Sequence, residues 1–180
     1  MTNTTYGTWL PGDRRGSVTS VRDRRDSDPP TSSRLVHNLP GEPWEVEHPG
    51  LCFAAVQRMN GPAIYFDLEK AEIVFVQFHE TAAHRGWTLH AISIMASHFH
   101  MVVQVADDPC PKKILADFKA WASRRLNERY GEPPSETWWT MNGSKRKLAN
   151  ESHRQNAINY TLYEQHRPLI VWSRELGRIV

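Results

Sequence analysis

Two histidines two residues apart, His98 and His100, stand inside the apolar run from Ile92 to Val105. Side chains alternate along a strand, so both imidazoles leave one face. Phe99, Met101, Val103 and Val105 leave the other, toward a core. Imidazole is a common ligand for divalent metals. A pair of imidazoles leaves coordination positions open, which suits catalysis better than a closed structural site. The pair alone also fits two half-exposed polar positions on an open sheet. Further along, Tyr160 and Glu164 are four residues apart and share a helix face. A helix laid across the sheet would carry both to the histidines. His98, His100 and Glu164 would then form a His-His-carboxylate site. Mixed nitrogen and oxygen ligation suits Mg²⁺ or Mn²⁺ bridging a phosphate, without excluding zinc.

Tyr160 would stand beside that metal as a nucleophile. A phenol with a pKa near 10 is a poor nucleophile at neutral pH. It becomes useful with a general base, or when a metal makes its target electrophilic. Simple packing of an amphipathic helix is the other reading of Tyr160. Tyr163 is the rival nucleophile, about 60° further round the helix. Tyr160 is preferred for its partner four residues on.

The elements that must position these groups follow from composition and pattern. A chain of 180 residues is long enough for one domain with a real core. The net charge of +2 does not by itself argue for nucleic acid. The two cysteines, Cys52 and Cys110, form no CxxC pair, which suggests a reducing compartment. No apolar run reaches membrane-spanning length and the N-terminus shows no signal pattern, so a cytoplasmic protein with no membrane partner is expected.

Thr4 to Leu10 reads as a strand stopped by Pro11-Gly12. Residues 11–66 read as an irregular insertion, with a short helix over Leu51 to Met59. It mixes Arg14, Arg15, Arg22, Arg24 and Arg25 with Asp13, Asp23, Asp26 and Asp28, which suits a solvated surface or a DNA-contacting arm. Asp67 caps a helix with the apolar stripe Leu68, Ala71, Ile73, Val74, Phe75 and Phe78, and Gly86 ends it. Trp87 to Met95 and His98 to Ala106 form a hairpin across Ala96-Ser97. A second helix follows Pro111, with Ile114, Leu115, Phe118, Trp121, Ala122 and Leu126 on one face and Lys112, Lys113, Lys119 and Arg124 off it. Thr137 to Met141 reads as a strand and Asn142-Gly143 as a turn. A third helix runs from about Glu151 to Gln165, and Leu169 to Trp172 adds a short strand. The order βαββαβ is the ferredoxin-like α+β plan, an antiparallel sheet with helices on one face, here with an extra C-terminal helix carrying the tyrosine. His98 and His100 fall on its free face. The whole chain, 1–180, is read as one domain.

His98-Phe99-His100, with the strand-turn-strand from Ala91 to Val103, resembles the histidine-hydrophobe-histidine (HUH) signature of single-tyrosine transposases. Tyr6 to Gly12, Gly143 to Leu148 and Asn159 to Gln165 resemble that family's REP-associated tyrosine transposase branch. The resemblance implies a metal-dependent enzyme that cleaves and rejoins single-stranded DNA, at hairpins, through a 5′-phosphotyrosine link. One phosphodiester is exchanged for another, in keeping with the lack of a GxxxxGK[ST] loop. It implies Tyr160 as nucleophile and His98 and His100 as ligands of Mg²⁺ or Mn²⁺. The family's third ligand is an amide four residues after the tyrosine. Here that position is Glu164, and Gln165 comes one step later, so either is a candidate and Glu164 is favoured. Ala96-Ser97 replaces the family's Pro-Asn, and Thr161 an aliphatic residue.

The same reading gives the basic run Lys145, Arg146 and Lys147 a role against DNA phosphates, with Lys112 and Lys113 beside it. Of Trp138 and Trp139, alternation leaves one in the core and the other, taken as Trp138, free to stack on a base. A homodimer is possible. The alternatives are a replication- or relaxase-type HUH nickase, and a non-catalytic nucleic-acid-binding module on a ferredoxin-like sheet.

Overall fold

The computed structural model of the chain describes residues 1–16, 22–23, 35–36, 47–106, 109–141 and 143–180. Arg24, Arg25, Asp26 and Asp28 of the expected arm, and Asn142 of the expected turn, lie outside them. In chain order the elements are β1 (Thr2–Thr4), β2 (Arg22–Asp23), β3 (Leu35–Val36), α1 (Pro49–Gln57), α2 (Leu68–Arg85), β4 (Thr88–Ile94), β5 (His98–Gln104), α3 (Pro111–Tyr130), α4 (Glu151–Tyr163), β6 (Ile170–Ser173) and β7 (Gly177–Arg178). They fall into two compact units, one of residues 9–59 and one of residues 1–8 with 60–180.

The larger unit is a mixed α+β fold on an antiparallel sheet of order β1-β5-β4-β6-β7. Local chemistry sets its boundaries. The Asp67 carboxylate accepts from the Lys70 amide at 2.9 Å and starts α2. Gly86, at φ 66°, ends it in the left-handed conformation. Pro111 opens α3, where its missing N–H costs nothing. Ala71, Val74, Phe78 and Ala82 of α2 are buried at helical spacing, as are Ile114, Leu115, Phe118, Ala122 and Leu126 of α3. Phe78 lies edge-on to Phe99 of β5 at 4.9 Å and to Phe118 of α3 at 5.3 Å. These rings hold two helices and the sheet together, each burial being worth about 1.5–3 kcal/mol.

A register shift between Leu89 and Ala91 places a bulge at His90. It lets Leu89 join Ile92 and Ile94 in one core in spite of their odd spacing. The opposite face of β4, β5 and β6 is covered by α4. There Ala91 and Ser93 are fully buried, small residues that let a helix come close.

Two expected strands differ. The first strand occupies Thr2–Thr4 rather than Thr4 to Leu10. Beyond it the Thr8 hydroxyl and amide both return to the Thr5 carbonyl, and Gly7 adopts φ 70°, so the chain turns. Thr137 to Met141 is not a continuous strand. The Thr137 hydroxyl bonds the Trp139 amide and carbonyl, each at 3.3 Å, and competes with a ladder. The segment still reaches the outer edge of β1 through bridges Thr5–Trp139 and Thr2–Ser144, the place of the fourth strand in a ferredoxin-like sheet. The short β7 was not anticipated. No helix of the described residues is long and apolar enough to cross a membrane.

In the smaller unit β2 and β3 pair antiparallel. The His48 Nδ1 caps α1 by accepting from the Leu51 amide. The Arg15 guanidinium forks onto Asp13 and lies over the Trp9 ring at 4.8 Å. Arg15 is thus engaged inside its own unit.

Candidate active site

β5 carries His98 and His100 on the face away from the Phe99 core. Their rings are 5.1 Å apart, centroid to centroid, at 87°. Each has a hydroxyl on Nδ1. Thr2 of β1, directly opposite His100 in the register, places Oγ1 at 2.7 Å from the His100 Nδ1. Ser97, just before the strand, places Oγ at 3.0 Å from the His98 Nδ1. The Ser97 carbonyl in turn accepts from the Thr5 amide at 2.8 Å and from the Thr5 and Thr8 hydroxyls at 3.0 Å each. The Thr5 amide and hydroxyl, with the Thr8 hydroxyl sharing its one proton between this oxygen and the Thr5 carbonyl, hold the turn before His98.

Burial pushes the His100 imidazole down to about pKa 3, with the neighbouring His98 and the N-terminal ammonium adding to the effect. His100 is therefore neutral at pH 7, the form that binds metal.

Tyr160 approaches from α4. Its ring lies edge-on to His100, at 5.3 Å between centroids and 86°. It is 45% exposed, so the phenol both touches the histidine and opens to solvent. Tyr163, one turn on, is 67% exposed. α4 is capped by Asn150, which accepts from the His153 amide at 2.9 Å. Thr161 is its one buried residue, and the Thr161 hydroxyl returns to the Ala157 carbonyl.

The helix ends at Tyr163, two residues before its expected limit. Glu164 becomes its C-cap, exposed, with its amide donating to the Tyr160 carbonyl at 3.3 Å. Among the described residues no three His, Cys, Asp or Glu side chains converge as a metal-holding group. Glu164 is therefore not gathered with His98 and His100 in this conformation. Gln165 folds back, its amide nitrogen donating to the Tyr160 carbonyl at 2.9 Å. The donor set present, two imidazoles each with a hydroxyl at Nδ1, fits part of a divalent metal site.

Of the residues expected to meet DNA, Arg146 and Lys147 are exposed, while Lys145 is half-buried and donates to the Gly143 carbonyl at 2.6 Å. Lys112 and Lys113 are exposed in the first turn of α3, which holds no acidic residue. Cations there oppose the helix dipole, so stability does not explain them. Trp138 is not a stacking residue. It is 5% exposed and Trp139 is 2% exposed, because the broken strand abolishes the alternation that would have turned one outward. Their indole N–H groups are satisfied inside, by Asn127 at 2.6 Å and Ser123 at 3.0 Å.

Three contributors escaped the sequence. Thr2 lay outside the expected first strand, and Ser97 counted only as a turn residue. Lys119 donates to the Thr140 carbonyl at 2.6 Å and to Asn3 and the Met141 carbonyl, and so ties α3 to the edge segment before the basic run. Burial and the nearby Lys145 push the Lys119 ammonium down to about pKa 8.

Residues 63–147 match the family model described as transposase, IS200-like. The match supports kinship with those transposases and a DNA-processing role. It takes in α2, the histidine hairpin, α3 and the basic run, a little under half of the chain, and stops before α4. No curated protein matches the chain.

Proposed function

We propose that this protein is an HUH single-tyrosine transposase, of the REP-associated type, that cleaves and rejoins single-stranded DNA at hairpins with Mg²⁺ or Mn²⁺. The observation that carries the reading is the contact of Tyr160 with His100, itself paired with His98 on one strand. Tyr160 Oη attacks the phosphorus of a phosphodiester. The bond from phosphorus to the 3′ oxygen breaks, the phenol proton is lost, and the departing 3′ oxygen takes up a proton. The product is a 5′-phosphotyrosine and a free 3′-OH, and attack by a 3′-OH reverses the step at a new junction. A bound divalent ion would supply positive charge to polarise the scissile phosphate. His98 and His100 would hold it, with Gln165 or Glu164 as oxygen donor. Both are tied to the tyrosine, whose carbonyl accepts from the Glu164 amide at 3.3 Å and from the Gln165 side-chain nitrogen at 2.9 Å. Arg146, Lys147, Lys112 and Lys113 would meet phosphates.

The Tyr160–His100 contact lies within one chain; a homodimer that exchanges its tyrosine helices would make the same pair between protomers. The chain is taken to act as one functional domain, the segment 11–66 being an insertion in it.

The experiment mixes purified protein, Mn²⁺ and end-labelled hairpin oligonucleotides. A denaturant-resistant protein–DNA adduct is expected, lost with chelator and with His98→Ala or His100→Ala. Tight hairpin binding without an adduct across a panel of substrates and metals would overturn the catalytic reading in favour of a binding module.

A further inference from the structure

We propose that Thr2 is a positioning residue for the metal-holding pair: its hydroxyl accepts from the His100 Nδ1–H and so keeps the Nε2 lone pair of that ring available to a metal. The inference rests on the metal-dependent reading above and deepens it.

Thr2 is 98 residues from His100 in sequence, yet sits directly opposite it in the β1–β5 register, with Oγ1 at 2.7 Å from Nδ1. Its own backbone is held from the other side. The Thr2 amide donates to the Ser144 carbonyl and the Ser144 amide donates back to the Thr2 carbonyl, both at 2.9 Å. Gly143 permits that closeness, since a Cβ there would stand 2.6 Å from the Thr2 carbonyl oxygen. The Thr2 backbone is thus held by β5 on one side and by the Ser144 bridge on the other, which sets where its hydroxyl stands.

A neutral imidazole carries one proton, and the hydrogen bond at one nitrogen decides what the other can do. The Nδ1 of His100 faces the β1 edge, where Thr2 Oγ1 is its partner. With the hydroxyl accepting, Nδ1–H is satisfied and Nε2 keeps its lone pair; a hydroxyl donating to Nδ1 would put the ring proton on Nε2. Without the hydroxyl, Nδ1–H would be a donor with no acceptor in a largely buried place. The ring would then carry its proton on Nε2, the nitrogen a metal needs. His98 differs, its Nδ1 partner being the adjacent Ser97.

The test compares the parent with Thr2→Val, which keeps the β-branched shape, and Thr2→Ser, which keeps the hydroxyl. Long-range ¹⁵N spectra of the metal-free proteins read the His100 tautomer, and Mn²⁺ titration reads affinity. The parent is expected to show Nδ1–H. Thr2→Val is expected to move to Nε2–H and bind Mn²⁺ about tenfold or more weakly. Thr2→Ser should stay close to the parent in both. A parent with Nε2–H overturns the inference without any variant, as does Thr2→Val with an unchanged tautomer. A parent that binds Mn²⁺ no better than His100→Ala overturns the metal reading instead, and the metal-free spectra tell the two failures apart.

Discussion

The ring of Tyr160 meets the ring of His100 edge-on, 5.3 Å between centroids, across the space between α4 and the sheet. Tyr163, three residues later, is the more exposed of the two tyrosines. Tyr160→Phe should therefore reduce covalent DNA adduct to background, and Tyr163→Phe should leave most of it. Both are surface changes, so unfolding free energies should stay within about 0.5 kcal/mol of the parent. Gel analysis of adducts checks this. An adduct that survives Tyr160→Phe and disappears in Tyr163→Phe would assign the nucleophile to Tyr163 instead.

Lys112 and Lys113 should trade stability against binding. Replacing both by glutamine removes two cations from the positive end of α3 and should raise stability by roughly 0.3–1 kcal/mol. If they meet phosphates, the same change should lower the salt dependence of DNA binding by about one unit of slope per lysine. Denaturant melts and fluorescence anisotropy at several salt concentrations read the two effects separately.

Asp67→Ala should cost about 1 kcal/mol at pH 7, the value of a lost N-cap. The hydrogen bond from the Lys70 side chain, then that from the Lys70 amide, holds the Asp67 carboxyl below the usual range. A carboxylate depressed in the folded state contributes fully above its unfolded pKa, near 3.9, and loses that contribution as pH falls through the lower folded value. The gap between parent and variant should therefore shrink below about pH 4. Urea titrations at pH 7 and across the acid range would show it; a pH-independent gap would contradict the cap.

Gly143→Ala should destabilise by about 1–3 kcal/mol, the usual cost of overpacking. The new methyl would press on the Asn3 side chain, on the Thr2 carbonyl at 2.6 Å and on Leu115 at 2.9 Å. The first two are pinned by the sheet and cannot yield cheaply. Thermal melts measure the loss, and an unchanged melting temperature would mean that the edge segment can move away from β1.

Much of this architecture is legible in the residues because local signals agree with tertiary ones. Asp67 and Gly86 bracket α2, and Pro111 opens α3. The hairpin reads from alternation alone, and its two faces divide between Phe99 and the histidines. What could not be read depends on distant partners. Thr2 looks like an ordinary N-terminal residue until the register sets it opposite His100. Trp138 and Trp139 follow strand alternation only if their segment is a strand, and the Thr137 hydroxyl prevents that. Glu164 stays one turn above Tyr160, its amide on the Tyr160 carbonyl, yet no pattern in the residues tells that α4 stops at Tyr163 and makes it the C-cap.

β5 has one further consequence. Phe99 and Met101 are buried in the core, while His98 and His100 lie on the face that meets α4. A complete substitution scan of this strand should therefore split into two interleaved records. Phe99 and Met101 should register as loss of soluble protein, the histidines as well-folded protein that has lost its chemistry. The period of two in that phenotype map would come from the backbone pleat, with neighbours in sequence answering to different selective pressures.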